Sequence, residues 1–142
     1  MCRVPASPFG RRRLRPLALA ALLLAGLTAA EAAERGFPYD DEFMLDARPM
    51  RGSKRVPSLL VKQNGEATIE AWCNTVTAQF VIAAATITMS GGQRTEQQCT
   101  PERMKADDDL IAALVEITTW RRDGSVLTLR GPKALRFRSA TH

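Results

Sequence analysis

Two cysteines frame the part of this sequence that most restricts its fold. From Trp72 the chain reads WCNTVTAQFVIAAATITMSGGQRTEQQC, so Cys73 and Cys99 stand 26 positions apart around a β-rich hairpin. Thr77 to Ile82 and Thr86 to Met89 are its strands, bridged by Ala83 to Ala85. Ile87 and Met89 alternate with Thr86 and Thr88, the period-two pattern of a half-buried strand. Ser90 to Gln98, with Gly91-Gly92, reads as a mobile polar loop returning to Cys99. The period then changes at once. Thr100-Pro101-Glu102 is a helix start: a hydroxyl N-cap, a proline where its missing N–H costs nothing, and a carboxylate near the positive end of the dipole. Met104, Ile111 and Leu114, with Leu110 and Val115 beside them, make one apolar stripe on a helix of about 14 residues. Three adjacent acids, Asp107, Asp108 and Asp109, cannot share a face, so most of that cluster is expected in water.

On either side of this segment the pattern is again β. Glu42 to Asp46 is a first weak strand, and Ala47 to Pro57, with two prolines, a glycine and four basic residues, is a loop. Ser58 to Lys62 and Ala67 to Trp72 flank the Asn64-Gly65 hairpin signal. After the helix, Ile117 to Arg122 and Ser125 to Arg130 flank an Asp123-Gly124 turn. Gly131-Pro132-Lys133 turns once more, and Ala134 to Arg138 alternates with Leu135 and Phe137 inward. Seven or eight short strands and one helix give an α+β, mostly antiparallel class. Residues 33–41 read as a polar lead-in and 139–142 as a frayed tail.

The first 32 residues read as a cleaved secretory signal. Five arginines precede an apolar run from Leu17 to Ala30, and Ala30-Glu31-Ala32 is a small-residue cleavage site. The rival, a membrane anchor, needs about 20 apolar residues to cross the hydrocarbon core, and this run is shorter. No lipid anchor is expected either, since Leu27 stands where a lipoprotein signal needs cysteine. The expected location is the periplasm, or the medium, after cleavage near Ala32. Cleavage removes Cys2 and leaves two cysteines. In an oxidising compartment an even count points to a Cys73–Cys99 disulfide, which by loop entropy would stabilise by about 3.5 kcal/mol; two buried thiols are the alternative.

Cleavage also alters the charge. The whole chain has 20 Lys and Arg against 15 Asp and Glu. Losing five arginines and Glu31 leaves 15 against 14, so the high overall isoelectric point belongs to the signal and gives no support to nucleic-acid binding.

Catalytic chemistry finds little to work with. The only histidine is His142, the final residue, and there is no glycine-rich phosphate loop and no metal-ligand spacing. The chain is expected to be no enzyme and to take no cofactor and no metal. Trp72 and Trp120 are candidate aromatic anchors for a partner, or both simply cover the core.

The order Cys73-Asn74, Ala78, Phe80, a hairpin, Thr95-x-x-x-Cys99, a helix and a closing pair of strands ending Leu-Arg-Phe resembles the META domain. This is the HslJ-like family of small bacterial envelope and heat-shock-associated proteins. The resemblance covers roughly residues 40 to 138. It departs at Trp72, Ala78 and Phe80, where the family often has Gly, Gly and Tyr, and at Glu96-Gln97-Gln98. The resemblance implies an open, cracked β-barrel packed by one amphipathic helix. It also implies a stress-protective envelope protein that holds another protein by an open sheet edge or loop. The alternative is a carrier of an apolar small ligand or lipid in a cavity between sheet and helix, which Phe80, Ile82, Ile87, Met89, Met104, Ile111 and Leu114 would line or simply fill. Trp72, Asn74, Phe80 and Trp120 are the candidate contacts for either occupant. The oligomeric state is left open.

Overall fold

The computed structural model describes residues 36–140. The expected signal, the start of the lead-in and the last two residues lie outside the described residues. Eight strands and one helix follow in the order β1 (Glu42–Leu45), β2 (Ser58–Val61), β3 (Glu66–Glu70), β4 (Thr75–Ala83), β5 (Thr86–Arg94), α1 (Pro101–Val115), β6 (Thr119–Asp123), β7 (Val126–Arg130) and β8 (Leu135–Ser139). Each strand pairs antiparallel with its neighbour in sequence, and β1 pairs with β8, so the sheet closes into a barrel.

Period-two alternation builds the interior. Phe43 faces Leu59, Leu59 faces Ile69, and Ile69 faces Val76, one buried row across four strands. On the far wall Leu127 faces Phe137 and Leu129 faces Leu135. A one-residue slip in any of these strands would turn its apolar set to water, so the row fixes the register.

The expected crack exists in one place. β5 and β6 share a single residue pair, Thr86 with Thr119, flanked by Ile87 N–H to Thr118 O at 3.0 Å and Trp120 N–H to Ala85 O at 3.0 Å. The helix joins these two strands and turns Leu110, Ala113 and Leu114 inward. The barrel is therefore closed rather than open, by its narrowest seam.

Several local expectations change. The segment read as a mobile loop from Ser90 is strand as far as Arg94, because Gly91 and Gly92 form a bulge: Gln79 pairs with Ser90 and Thr77 with Gln93, so Ala78 opposes both glycines. Gly91 takes φ +66°, which a residue with a Cβ adopts only at a cost. The second hairpin turns on Gly124-Ser125, one residue later than expected, since Asp123 pairs with Val126. Thr100 occupies the N-cap with extended backbone, but its hydroxyl makes no capping bond. Val115 is 55% exposed and belongs to the outer face of α1. The lead-in is not merely polar: Phe37 is buried and packs edge-on against Trp120 at 5.1 Å and near Tyr39 at 5.0 Å. At the other end Ser139 belongs to β8, and Ala140 N–H bonds Glu42 O at 2.9 Å, so the tail is tied down that far.

Candidate functional site

The short connection between β3 and β4 carries Trp72, Cys73 and Asn74, and the connection from β5 to α1 carries Thr95 to Thr100. Both meet at the start of α1. Cys73 and Cys99 lie at disulfide distance, with Cα atoms 6.0 Å apart, and join the two connections.

Beneath the disulfide lies a buried carboxylate. Asp107 has no exposed surface. Its Oδ1 accepts Cys73 N–H at 3.0 Å, and its Oδ2 accepts Asn74 N–H at 2.8 Å and Asn74 Nδ2–H at 3.3 Å. Arg94 Nη2 stands 3.9 Å from the same Oδ2, and Arg94 also pairs with Asp108. A buried carboxylate is tolerated only when its lone pairs are filled, and consecutive backbone amides fill these. The charge-assisted bonds hold the helix against the β3–β4 connection independently of the sulfur bridge.

Asn74 completes the junction. It is 3% exposed, and its side chain works at both ends: the amide nitrogen donates to Asp107, while Oδ1 accepts Thr95 Oγ1–H at 3.0 Å and Gln97 N–H at 2.7 Å. Thr95 Oγ1 in turn accepts Thr75 N–H at 3.0 Å. Only a side chain with a donor and an acceptor on one short stem meets these demands. Aspartate here would set two carboxylates together, and leucine would leave Gln97 N–H without its acceptor.

This network shapes a groove of about 330 Å³ lined by Asn74, Arg94, Thr95, Glu96, Gln97, Gln98 and Met104. The N–H groups of Thr95 and Gln97 bond inward, to Thr75 O at 3.1 Å and to Asn74. Those of Glu96 and Gln98 take no partner among the described residues, and both residues are exposed. The groove is thus bordered by an irregular chain segment with two free backbone donors, a guanidinium and a thioether.

The four candidate contacts do not converge. Trp72 is half-buried beside the disulfide, and Asn74 lines the groove as a structural hub. Phe80 is 2% exposed and fills the barrel interior, so it offers no surface to a partner. Trp120 sits near the opposite end of β4, roughly 30 Å away at the rise of an extended strand. Its Nε1–H donates to Ala84 O at 2.8 Å, which makes it a latch on the hairpin tip. The residue that sequence reasoning missed is Asp107, taken as part of a solvated cluster. Its signal was available: it lies three positions after Met104 and three before Leu110, on the inward stripe.

No helix among the described residues is long and apolar enough to cross a membrane. No curated protein sequence matches this chain significantly. Two structures solved by NMR share its fold. One is 18% identical with a TM-score of 0.58, over 71% of this chain and 90% of the other. The second, a protein from Burkholderia xenovorans, is 15% identical with a TM-score of 0.61, over 73% and 84%. The META domain profile matches residues 42–141, from the first strand of the barrel to beyond the last. The disulfide-linked Cys-Asn junction, the helix and the eight-stranded barrel are accordingly those of a chain that belongs to the META domain family.

Proposed function

We propose that this protein is an exported, non-catalytic binding protein that holds an extended segment of another envelope protein in the groove beside Thr95–Gln98, as part of protection under stress. The observation that carries this reading is the pair of unpartnered amides at Glu96 and Gln98 bordering the groove. An extended peptide bonds most cheaply to backbone donors already fixed in place, because no loop has to be ordered on binding. Here Asn74 and the disulfide do the fixing. Export is supported by the signal-like residues 1–32, and the non-catalytic reading by the single histidine at position 142.

The interior gives the carrier alternative less support. Phe80, Ile87 and Leu114, which would wall a cavity between sheet and helix, expose at most 2% of their surface.

The test is a backbone substitution. Glu96→Pro removes one amide donor, and Glu96→Ala keeps it. Each would be paired with a photo-crosslinking residue at Gln98, in cells and with the melting temperature checked. Crosslinks to envelope proteins that survive Glu96→Ala but vanish in Glu96→Pro support strand-like capture. Crosslinks indifferent to both substitutions, or equal to those from a crosslinker at Thr68 on the outer wall, remove the groove from the account.

A further inference from the structure

Charge is sorted between the two parts of this barrel. From Thr119 to Ser139, the segment of β6, β7 and β8, there are six basic residues and one acid, Asp123. From Lys62 to Thr118, the segment that contains the groove, there are four basic residues and eight acids. A near-neutral mature chain thus carries a net +5 on its last three strands and −4 on the part before them.

The register shows where the basic side chains lie. Leu127, Leu129, Leu135 and Phe137 fill the core, so the alternate residues form the outer wall. Arg121 faces Thr128 and Thr128 faces Arg136, one row across three strands, with the two arginines exposed and roughly 10 Å apart at the usual strand spacing. Arg138 lies in the next row beside Val126, and Arg130 is paired with Thr119 at the other end. Only part of this charge is neutralised. Arg138 pairs with Asp46 at 3.1 Å and Arg122 with Asp41 at 3.7 Å, whereas Arg121, Arg130 and Lys133 have no carboxylate partner among the described residues.

We propose that the outer wall of β6–β8 is a docking surface for an anionic phospholipid bilayer. Complementary charge is the argument: exposed guanidinium groups spread over two dimensions match a sheet of phosphates. The wall is suited to adsorption, not insertion. Its interleaved residues are Thr119, Val126 and Thr128, all half-buried, with one exposed acid, Asp123, opposite Val126 at the end of the wall, and the two large apolar side chains exposed among the described residues, Val81 and Val115, lie on β4 and α1. A nucleic-acid surface would need aromatic platforms for the bases or a groove that follows a strand, and this wall has neither. The acidic part is repelled by the same bilayer, so the protein would sit with its groove turned away from the lipid.

The test is co-sedimentation with vesicles of phosphatidylcholine, with and without phosphatidylglycerol. It uses the protein as isolated from the cells that make it, its N-terminus defined by mass spectrometry. Binding should require phosphatidylglycerol and fade as salt rises above about 0.15 M, where the screening length is near 8 Å. Arg121→Gln with Arg136→Gln should weaken partitioning roughly 30-fold. Lys62→Gln with Lys105→Gln, the same change in net charge elsewhere on the surface, should alter it less than about twofold. Melting temperatures verify that both double variants fold. The proposal is overturned if the two pairs behave alike, if neutral vesicles bind equally, or if nothing binds. It is also overturned if a short DNA duplex competes at matched phosphate, which would reassign the wall to nucleic acid. None of these outcomes touches the groove, which lies on other elements.

Discussion

The segment from β3 through α1 and the closing β6–β8 meander belong to one barrel yet are held in opposite ways. The meander is joined by short turns. Gly124 at φ +58° and Ser125 make a two-residue loop, β7 and β8 contribute alternate apolar residues to the core, and β6 packs Trp120 against it. Nothing covalent links these strands beyond the turns. The earlier segment must instead hold a connection without regular structure and a helix across the barrel's weakest seam. It does so with the disulfide, the fully buried Asp107 and the two-ended amide of Asn74. Past the Thr86–Thr119 pair β5 has no further strand pair on that side, and at its far end, beyond Arg94, specific polar and covalent ties hold the chain where strand pairing has run out.

The largest expected effect on the junction is that of Asp107→Ala. Three N–H groups of Cys73 and Asn74 would lose their acceptor in a site closed to water, at a cost of about 3–5 kcal/mol measured by denaturant unfolding. Asp108→Ala, on the exposed neighbour, should cost under about 1 kcal/mol. Equal losses would mean that the clamp is dispensable. Next in size is reduction of Cys73–Cys99. The loop-entropy value of about 3.5 kcal/mol sets an upper expectation, because Asp107 continues to hold the same two connections. Amide exchange should quicken at Gln97 and in the first turn of α1, while Leu127 and Leu129 stay protected; quickening throughout the barrel would erase the distinction between the two regions.

The smallest effect belongs to the meander's edge. The Arg138 guanidinium hydrogen-bonded to Asp46 holds that carboxyl below its ordinary value of 3.8. A lowered folded-state value means that the contribution is present above the unfolded value and is lost as pH falls through the folded one. Asp46→Asn should therefore lower the melting temperature slightly at neutral pH, and that difference should close as pH falls below about 4. Because the pair is exposed, added salt should abolish even that difference. A larger shift than that produced by Asp107→Ala would invert the ranking.

The meander and the first hairpins were legible in the sequence because alternation and turn residues act locally. Leu135 and Phe137, Ile87 and Met89, and Asn64-Gly65 each declare their strand or turn without reference to distant residues. The junction was legible only in part. The cysteine spacing marked it, and Cys73-Asn74 pointed to its family, but the role of Asp107 depends on backbone amides more than thirty positions away. Charge normally signals solvent, so the residue's place on the apolar stripe was outweighed by its two acidic neighbours. Phe37 was hidden for a similar reason: its flanking Glu34, Arg35, Asp40 and Asp41 outvote one aromatic ring. The Gly91-Gly92 pair was ambiguous in itself, since two glycines serve a loop as readily as a bulge.

The pairing of β1 with β8 also governs when this chain can fold. Phe43 meets Ser139 and Leu45 meets Phe137, contacts that span nearly the entire described length. Until the last strand has emerged from whatever ribosome or pore delivers the chain, β1 keeps a raw edge and the apolar interior stays open along one side. Closure of so long a loop is slow compared with hairpin formation. Synthesis or translocation that stalls near residue 130 would therefore leave an intermediate inclined to pair with another chain.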